Sequence, residues 1–311
     1  MCNLVLELRG MKVSGLSSYA SFFLKPTVAD SKLKHILWYA WFSLMGLIVA
    51  NHGLPSLTLI LKTMVLTASI AMFVYLLNDA MDAEFDKLNK VKSSRPIPSG
   101  LATKAHAMHL SILGSIVGLS LAITTNSYVL TFTLLYMMLG SMYSIPPFHL
   151  KRRPLMKETT LALGVFLATG IGALANGIIT TSLFYVGIYL GIFILTLVPT
   201  FYDALDEKED RLLGCKTIAI LLNQRRRLEL STLGLTIMMI ASPLTYSNFG
   251  FNVFFPIIVC IACLLFLRFI FPMLLDEEKV EEEKIEKGSK YIQVFLFMLQ
   301  FAIVLGSLTL L

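Results

Sequence analysis

From Ser56 to Lys87 the chain reads SLTLILKTMVLTASIAMFVYLLNDAMDAEFDK. As far as Leu77 it is apolar apart from Lys62 and small hydroxyl side chains. That is the run of roughly 20 residues a helix needs to cross the hydrocarbon core of a bilayer. The run then turns acidic without a break. Asp79, Asp82 and Asp86 recur at i, i+3 and i+7, and Asn78, Asp82 and Asp86 at i, i+4 and i+8. Continued as a helix, this spacing stacks the groups on one face over about two turns. An apolar rod tipped with carboxylates predicts an all-α membrane protein and concentrates charge at one membrane face.

The rest of the chain has the same character. Of its 311 residues 56% are hydrophobic and 15% charged, against about 45–50% and 25% in soluble domains. A disordered chain, a collagen and a disulfide-rich secreted module are excluded. Further windows of spanning length fall at about 36–52, 56–77, 104–124, 127–145, 158–179, 182–203, 228–247, 252–272 and 290–310, so about nine transmembrane helices are expected. Residues 1–35 form a segment of their own, with no cleavable leader expected, and 36–311 a single transmembrane domain. Apart from Lys62 and Arg268, which lie near span ends, the other 24 of the 26 Lys and Arg residues precede the first window or fall in, or at the edge of, alternate connections. The opposite connections, 51–57, 124–127, 180–183 and 247–252, carry none. The positive-inside rule then places the N-terminus and the acidic groups on the cytoplasmic side and the C-terminus outside. The net charge of +6 is thereby explained by topology. A nucleic-acid partner is not expected, nor is an obligate protein partner. Cys260 and Cys263 read as small packing residues, since no second Cys or His pair lies near them. His106 and His109 read as interfacial, and Asp276–Glu286 as a solvated helical loop.

A second acidic cluster follows the sixth window: Tyr202-Asp203-Ala-Leu-Asp206-Glu-Lys-Glu-Asp210-Arg211. Asp203, Asp206 and Asp210 repeat the i, i+3, i+7 spacing of the first cluster, again after a Tyr, on a span running in the same direction. Carboxylates this close repel one another and call for cations. Amide and carboxylate oxygens suit Mg²⁺, or Mn²⁺, and disfavour zinc. Such ions commonly share their coordination with a phosphorylated substrate. Candidate phosphate contacts are Arg95, Lys151 and Lys216, each beside Pro, Gly or an aromatic turn, with Arg152 and Arg211 adjacent to the same segments. Lys90, Lys92 and Arg225–Arg227 read as ordinary positive-inside residues. Two ions facing each other across a bundle would clamp a diphosphate and stabilise the charge it gains on leaving. Asp82 and Asp206 head the two candidate catalytic clusters. A diphosphate clamp above an apolar interior points to an isoprenyl diphosphate. The allylic cation left behind needs a dry pocket with aromatic faces, for which Phe73, Tyr75, Tyr136, Tyr143, Phe193 and Phe201 are candidates.

Asn78-Asp79-x-x-Asp82-x-x-x-Asp86, followed by Arg95-Pro-Ile-Pro-Ser-Gly, resembles the first signature of the UbiA-type intramembrane prenyltransferases. Asp206-x-x-x-Asp210, followed by Arg211 and Gly214-x-Lys216-Thr217, is similar to the second, and Tyr143-Ser-Ile-Pro-Pro-Phe-x-Leu-Lys151-Arg152 to the connecting loop of several branches. The resemblance implies helices around a central cavity and two Mg²⁺ ions beneath a diphosphate. Asn78, Asp82 and Asp86 would hold one ion and Asp206 and Asp210 the other, with Asp79 and Asp203 as supporting acids. Arg95, Lys151 and Lys216 would contact diphosphate, and Tyr143 the acceptor or cation. Leu24-Lys25-Pro26 departs from the Leu-x-Arg-Pro often found near the N-terminus. The activity implied is transfer of an isoprenyl group to a hydrophobic or aromatic acceptor within the membrane. Cyclisation of the prenyl diphosphate without an acceptor is an alternative. A transporter with intramembrane acids is a remoter one, because both clusters follow spans of the same direction and lie at span ends.

Overall fold

The computed structural model describes residues 15–23, 32–87, 92–212, 214–275 and 282–309. The Leu24-Lys25-Pro26 segment, Lys90, the first fourteen residues and Asp276–Glu281 lie outside them. Short α1 (Gly15–Ala20) precedes α2 (Lys32–Asn51), α3 (Leu57–Asp86), α4 (Lys104–Ile123), α5 (Ser127–Ser144), α6 (Met156–Ala173) and α7 (Thr181–Phe201). Then come two short helices, α8 (Glu207–Leu212) and α9 (Ile218–Leu221), and the long α10 (Gln224–Thr245), α11 (Phe254–Leu275) and α12 (Glu282–Ser307). Long helices stand at all nine expected windows. By length and composition seven of them can cross a membrane. The other two, α5 and α6, have 18 residues each; Ser, Thr and Tyr dilute α5, and Lys157 and Glu158 open α6. The protein is an integral, multi-pass membrane protein.

The deciding stretch is one helix of 30 residues. Ser56 caps it, its hydroxyl accepting from the Leu59 amide at 3.4 Å. No Pro or Gly interrupts it before Lys87, so the apolar rod carries its acids on a rigid tip. The second cluster is built differently. Pro199 has no amide proton to give, and the turn before it widens into a π-helical stretch, Phe193–Leu197, in which the Val198 amide bonds to the Phe193 carbonyl. The chain then leaves the helix at Tyr202, and Asp203 to Asp206 form turns before α8 begins. Equal spacing in sequence therefore gives a helix tip in one cluster and a turn followed by a short helix in the other.

Close approach at small residues fixes the centre of the bundle. A methyl group on Gly172 of α6 would collide with the Ser43 carbonyl of α2, and one on Gly46 with the Thr169 carbonyl. At the end remote from the acids the first and last long helices are joined. The His52 imidazole lies 3.1 Å from the Ser307 carbonyl, and the Thr309 amide donates to the His52 carbonyl at 3.3 Å. Several polar groups inside the spans find partners close by. Lys62 caps α4 through the Thr124 carbonyl at 2.7 Å, and His109 pairs with the Tyr19 hydroxyl at 2.9 Å. Cys263 is buried, and Cys260 donates to the Met239 carbonyl at 3.5 Å. Arg227 is buried, not solvated: it ties Glu207 (3.1 Å) and the Ala219 carbonyl (2.9 Å) to α10.

Candidate active site

The tip of α3 and the turn after α7 face one cleft of about 230 Å³, lined by Asn78, Asp82 and Asp86 on one side and Asp206 and Asp210 on the other. Arg95, Lys151, Arg152, Tyr143, Lys92, Lys157, Phe85 and Cys215 complete its wall. Five of the seven predicted acidic or amide ligands thus converge. Asp79 and Asp203 do not line the cleft. They sit behind it, 4% and 6% exposed.

Each acid but one has a cation from another element. Lys32, at the start of α2, reaches Asp79 at 2.8 Å. Lys151 contacts both Asp82 and the Asn78 amide oxygen, while Ser144 donates to that same oxygen at 3.0 Å. Arg95 pairs with Asp86 at 2.8 Å and lies 3.8 Å from Asp79. Lys157, in the first turn of α6, bridges Asp203 and Asp210 at 2.9 Å each. Asp206, exposed on the rim, has no ion pair among the described residues.

Burial and charge also shape the polar groups outside the spans. Burial pushes the Asp203 carboxyl above the usual range, with Lys157 pulling the other way. The Cys215 thiol is raised by burial and then by Asp210, which keeps it protonated and unreactive. Desolvation, then Arg152 and Lys151, lowers His149.

Among the expected diphosphate contacts, Arg95, Lys151 and Arg152 line the cleft, the last also stacking its guanidinium 4.7 Å from the Phe85 ring. Arg211 and Lys216 stand outside the lining. Arg211 is turned onto Glu207 at 2.9 Å, and Lys216 is exposed after Gly214. The sequence reading missed Lys32 and Lys157 and set Lys92 aside. A signal for the first two existed: a cation in the first turn of a helix sits at the positive end of the dipole and needs an acid elsewhere to hold it.

Below the cleft lies a space of about 200 Å³ that shares Asn78, Arg95 and Tyr143 with it and is lined by Tyr39, Tyr75 and Tyr136. The Tyr39 ring is 5.9 Å from that of Tyr75 and 5.5 Å from that of Tyr136. Through His35, Tyr39, Tyr75 and Leu161 this space adjoins an apolar cavity of about 580 Å³ bounded by α2, α7 and α12. That volume lies within the roughly 300–1,000 Å³ usual for small-molecule sites. Of the predicted aromatic residues, Tyr75, Tyr136, Tyr143 and Phe193 face these spaces. Phe201 packs on Phe266 and Phe269 instead, and Phe73 lines none of the three. Tyr39 was not anticipated.

The donor set is all oxygen and suits Mg²⁺. Among the described residues no three His, Cys, Asp or Glu side chains form a ready ligand cage. An ion held by one or two carboxylates, with the remaining positions filled by water and substrate phosphate, needs no such cage. The Oδ2 atoms of Asp79 and Asp203 are buried and accept no hydrogen bond among the described residues, while their Oδ1 atoms pair with Lys32 and Lys157.

A sequence model of the UbiA prenyltransferase family matches residues 39–299. The digeranylgeranylglyceryl phosphate synthase of Saccharolobus solfataricus is 29% identical over 286 residues, which cover 89% of this chain and 95% of that one. The 4-hydroxybenzoate octaprenyltransferase of Tolumonas auensis is 27% identical over 201 residues, covering 63% and 67%. A solved digeranylgeranylglyceryl phosphate synthase superposes with a TM-score of 0.75 at 20% identity, over 95% of this chain and 99% of the other. A UbiA homologue from Archaeoglobus fulgidus, solved with GPP and Mg²⁺, gives 0.62 at 17% identity over 93% and 99%.

Proposed function

This chain belongs to the UbiA prenyltransferase family, and on that premise we propose that it transfers an isoprenyl group from a prenyl diphosphate to a lipophilic or aromatic acceptor inside the membrane, releasing diphosphate. The observation that carries the reading is the single cleft lined by both acidic clusters and continuous with an apolar cavity. Asn78, Asp82 and Asp86 hold one Mg²⁺ and Asp206 and Asp210 the other, with Asp79 and Asp203 supporting from behind. When bound, the ions supply positive charge that stabilises the departing diphosphate. Arg95, Lys151 and Arg152 bind the diphosphate oxygens and orient the leaving group. The prenyl chain lies in the apolar cavity, and its reacting carbon lies among Tyr39, Tyr75, Tyr136 and Tyr143. Their faces favour a developing allylic cation, and their bulk excludes water. The acidic face is cytoplasmic, by the distribution of Lys and Arg. The names of the relatives bracket the acceptor between a glyceryl phosphate and a hydroxybenzoate.

The test is incubation of purified protein with Mg²⁺, prenyl diphosphates of several lengths and both acceptor classes, with products identified by mass. A prenylated acceptor that is lost in Asp82→Ala and in Asp206→Ala is expected. Undiminished turnover in either variant refutes the two-cluster clamp. A cyclic hydrocarbon formed without acceptor refutes transfer in favour of cyclisation.

A further inference from the structure

Lys157 occupies an odd place. It stands in the first turn of α6, where the helix dipole disfavours a cation, yet it is 14% exposed and pairs at 2.9 Å with two acids at once. One of them, Asp203, lies behind the cleft. The other, Asp210, lines it, and so does Lys157 itself. The first cluster divides the same work between two residues. Lys32, in the first turn of the preceding long helix, holds the rear acid Asp79, and Arg95 holds the cleft acid Asp86. The neighbouring Glu158, fully buried, accepts the Ile218 amide at 2.6 Å. The pair Lys157-Glu158 therefore fastens the chain on both sides of the loop that carries the second cluster. No side chain named as a candidate from the sequence fills this position.

Resting on the two-ion reading above, we propose that Lys157 is the resident counter-charge of the second ion site and, once that ion is bound, a direct ligand of the diphosphate. Without the ion, the ammonium balances Asp203 and Asp210 and keeps both carboxylates within reach of one point. An ion arriving at Asp210 competes with the ammonium for that carboxylate. Asp203 retains the lysine at its base, so Nζ stays at the cleft wall, where its remaining donors face the phosphate oxygens. The same residue thus opposes the ion and attracts the anion that arrives with it. A lysine that merely supports the fold would affect both in the same sense.

This opposition gives the experiment. Binding of Mn²⁺ alone is followed by spin resonance, and binding of inorganic diphosphate at saturating Mg²⁺ by calorimetry, on the full-length protein in lipid nanodiscs. In Lys157→Gln, Mn²⁺ binds about tenfold more tightly and diphosphate about tenfold more weakly, since a full charge within a few ångströms acts on each. Lys157→Arg restores the diphosphate affinity. Movement of either affinity in the other direction, or of either by less than twofold, overturns the proposal. If Lys157→Gln does not fold, the charge-balanced Lys157→Gln/Asp203→Asn protein carries the test. It must still lose diphosphate affinity, and an unchanged value overturns the role. Failure of the unaltered protein to bind Mn²⁺ or diphosphate sinks the two-ion reading and this role together. Normal binding by the unaltered protein, matched by Lys157→Gln, sinks the role alone.

Discussion

Removing Lys32 isolates a buried carboxylate. Lys32 and Asp79 are 8% and 4% exposed and join the first two long helices at 2.8 Å. Both Asp79 oxygens are shut off from solvent. After Lys32→Met the one remaining counter-charge among the described residues is Arg95, at 3.8 Å and already engaged by Asp86 at 2.8 Å. Breaking a buried pair by deleting one partner costs about 3–5 kcal/mol. Because Arg95 still offsets part of the charge, the lower end applies, about 3 kcal/mol, or more than a hundredfold in the folded-to-unfolded ratio at about 1.4 kcal/mol per tenfold. Deleting both charges removes the desolvation problem along with the attraction. Lys32→Met/Asp79→Leu should therefore lie within about 1 kcal/mol of the unaltered protein. The assay is a double-mutant cycle of reversible unfolding in mixed micelles, read by circular dichroism. A Lys32→Met cost below about 1 kcal/mol, or a double variant costing the sum of the two single ones, would refute the reasoning.

Gly172→Ala places a methyl group against the Ser43 carbonyl, a backbone atom with no room to yield, and should lower stability by about 2 kcal/mol or more in the same unfolding assay. Arg95→Ala should weaken diphosphate binding at least about tenfold, the size of one charge-assisted contact, whereas Lys216→Ala, exposed and outside the cleft, should change it less than threefold by the same calorimetry. His149 is held below its ordinary value of 6.5 by desolvation, Arg152 and Lys151. The unfolded chain therefore takes up its proton first, and stability should fall as pH drops from 6.5 through the lowered folded value. His149→Asn, which accommodates the left-handed backbone at φ 41°, should remove that acid limb from the thermal unfolding profile.

Helix positions were legible because each span states itself locally. A window of apolar residues bounded by uncharged turns on one side and Lys or Arg on the other needs no knowledge of its neighbours. The convergence of Asp82 with Asp206 was inferable too, since the two clusters share spacing and direction. Three things escaped. The break after Phe201 depends on Pro199 and the widened turn before it, which equal spacing of acids conceals. The cations that hold the acids come from distant segments, Lys32 for Asp79 and Lys157 for Asp203 and Asp210. Pairing across helices leaves no period in the sequence. Tyr39 and Phe201 show the same limit for aromatic residues. One faces the cavity and the other packs among Phe266 and Phe269, although nothing in their spacing separates them.

The stitching of His52 to Ser307 and Thr309 has a consequence for how the bundle can open. The first and last long helices are sewn together at the end far from the acids. Nearer the acids they part around the large greasy chamber, with Trp38, Lys34 and His35 on one edge and Gln293 and Ile292 on the other. A book held at its spine can open only at its free edge. Any splaying of these two helices would widen the chamber at the end nearer the acids and leave the far seam shut.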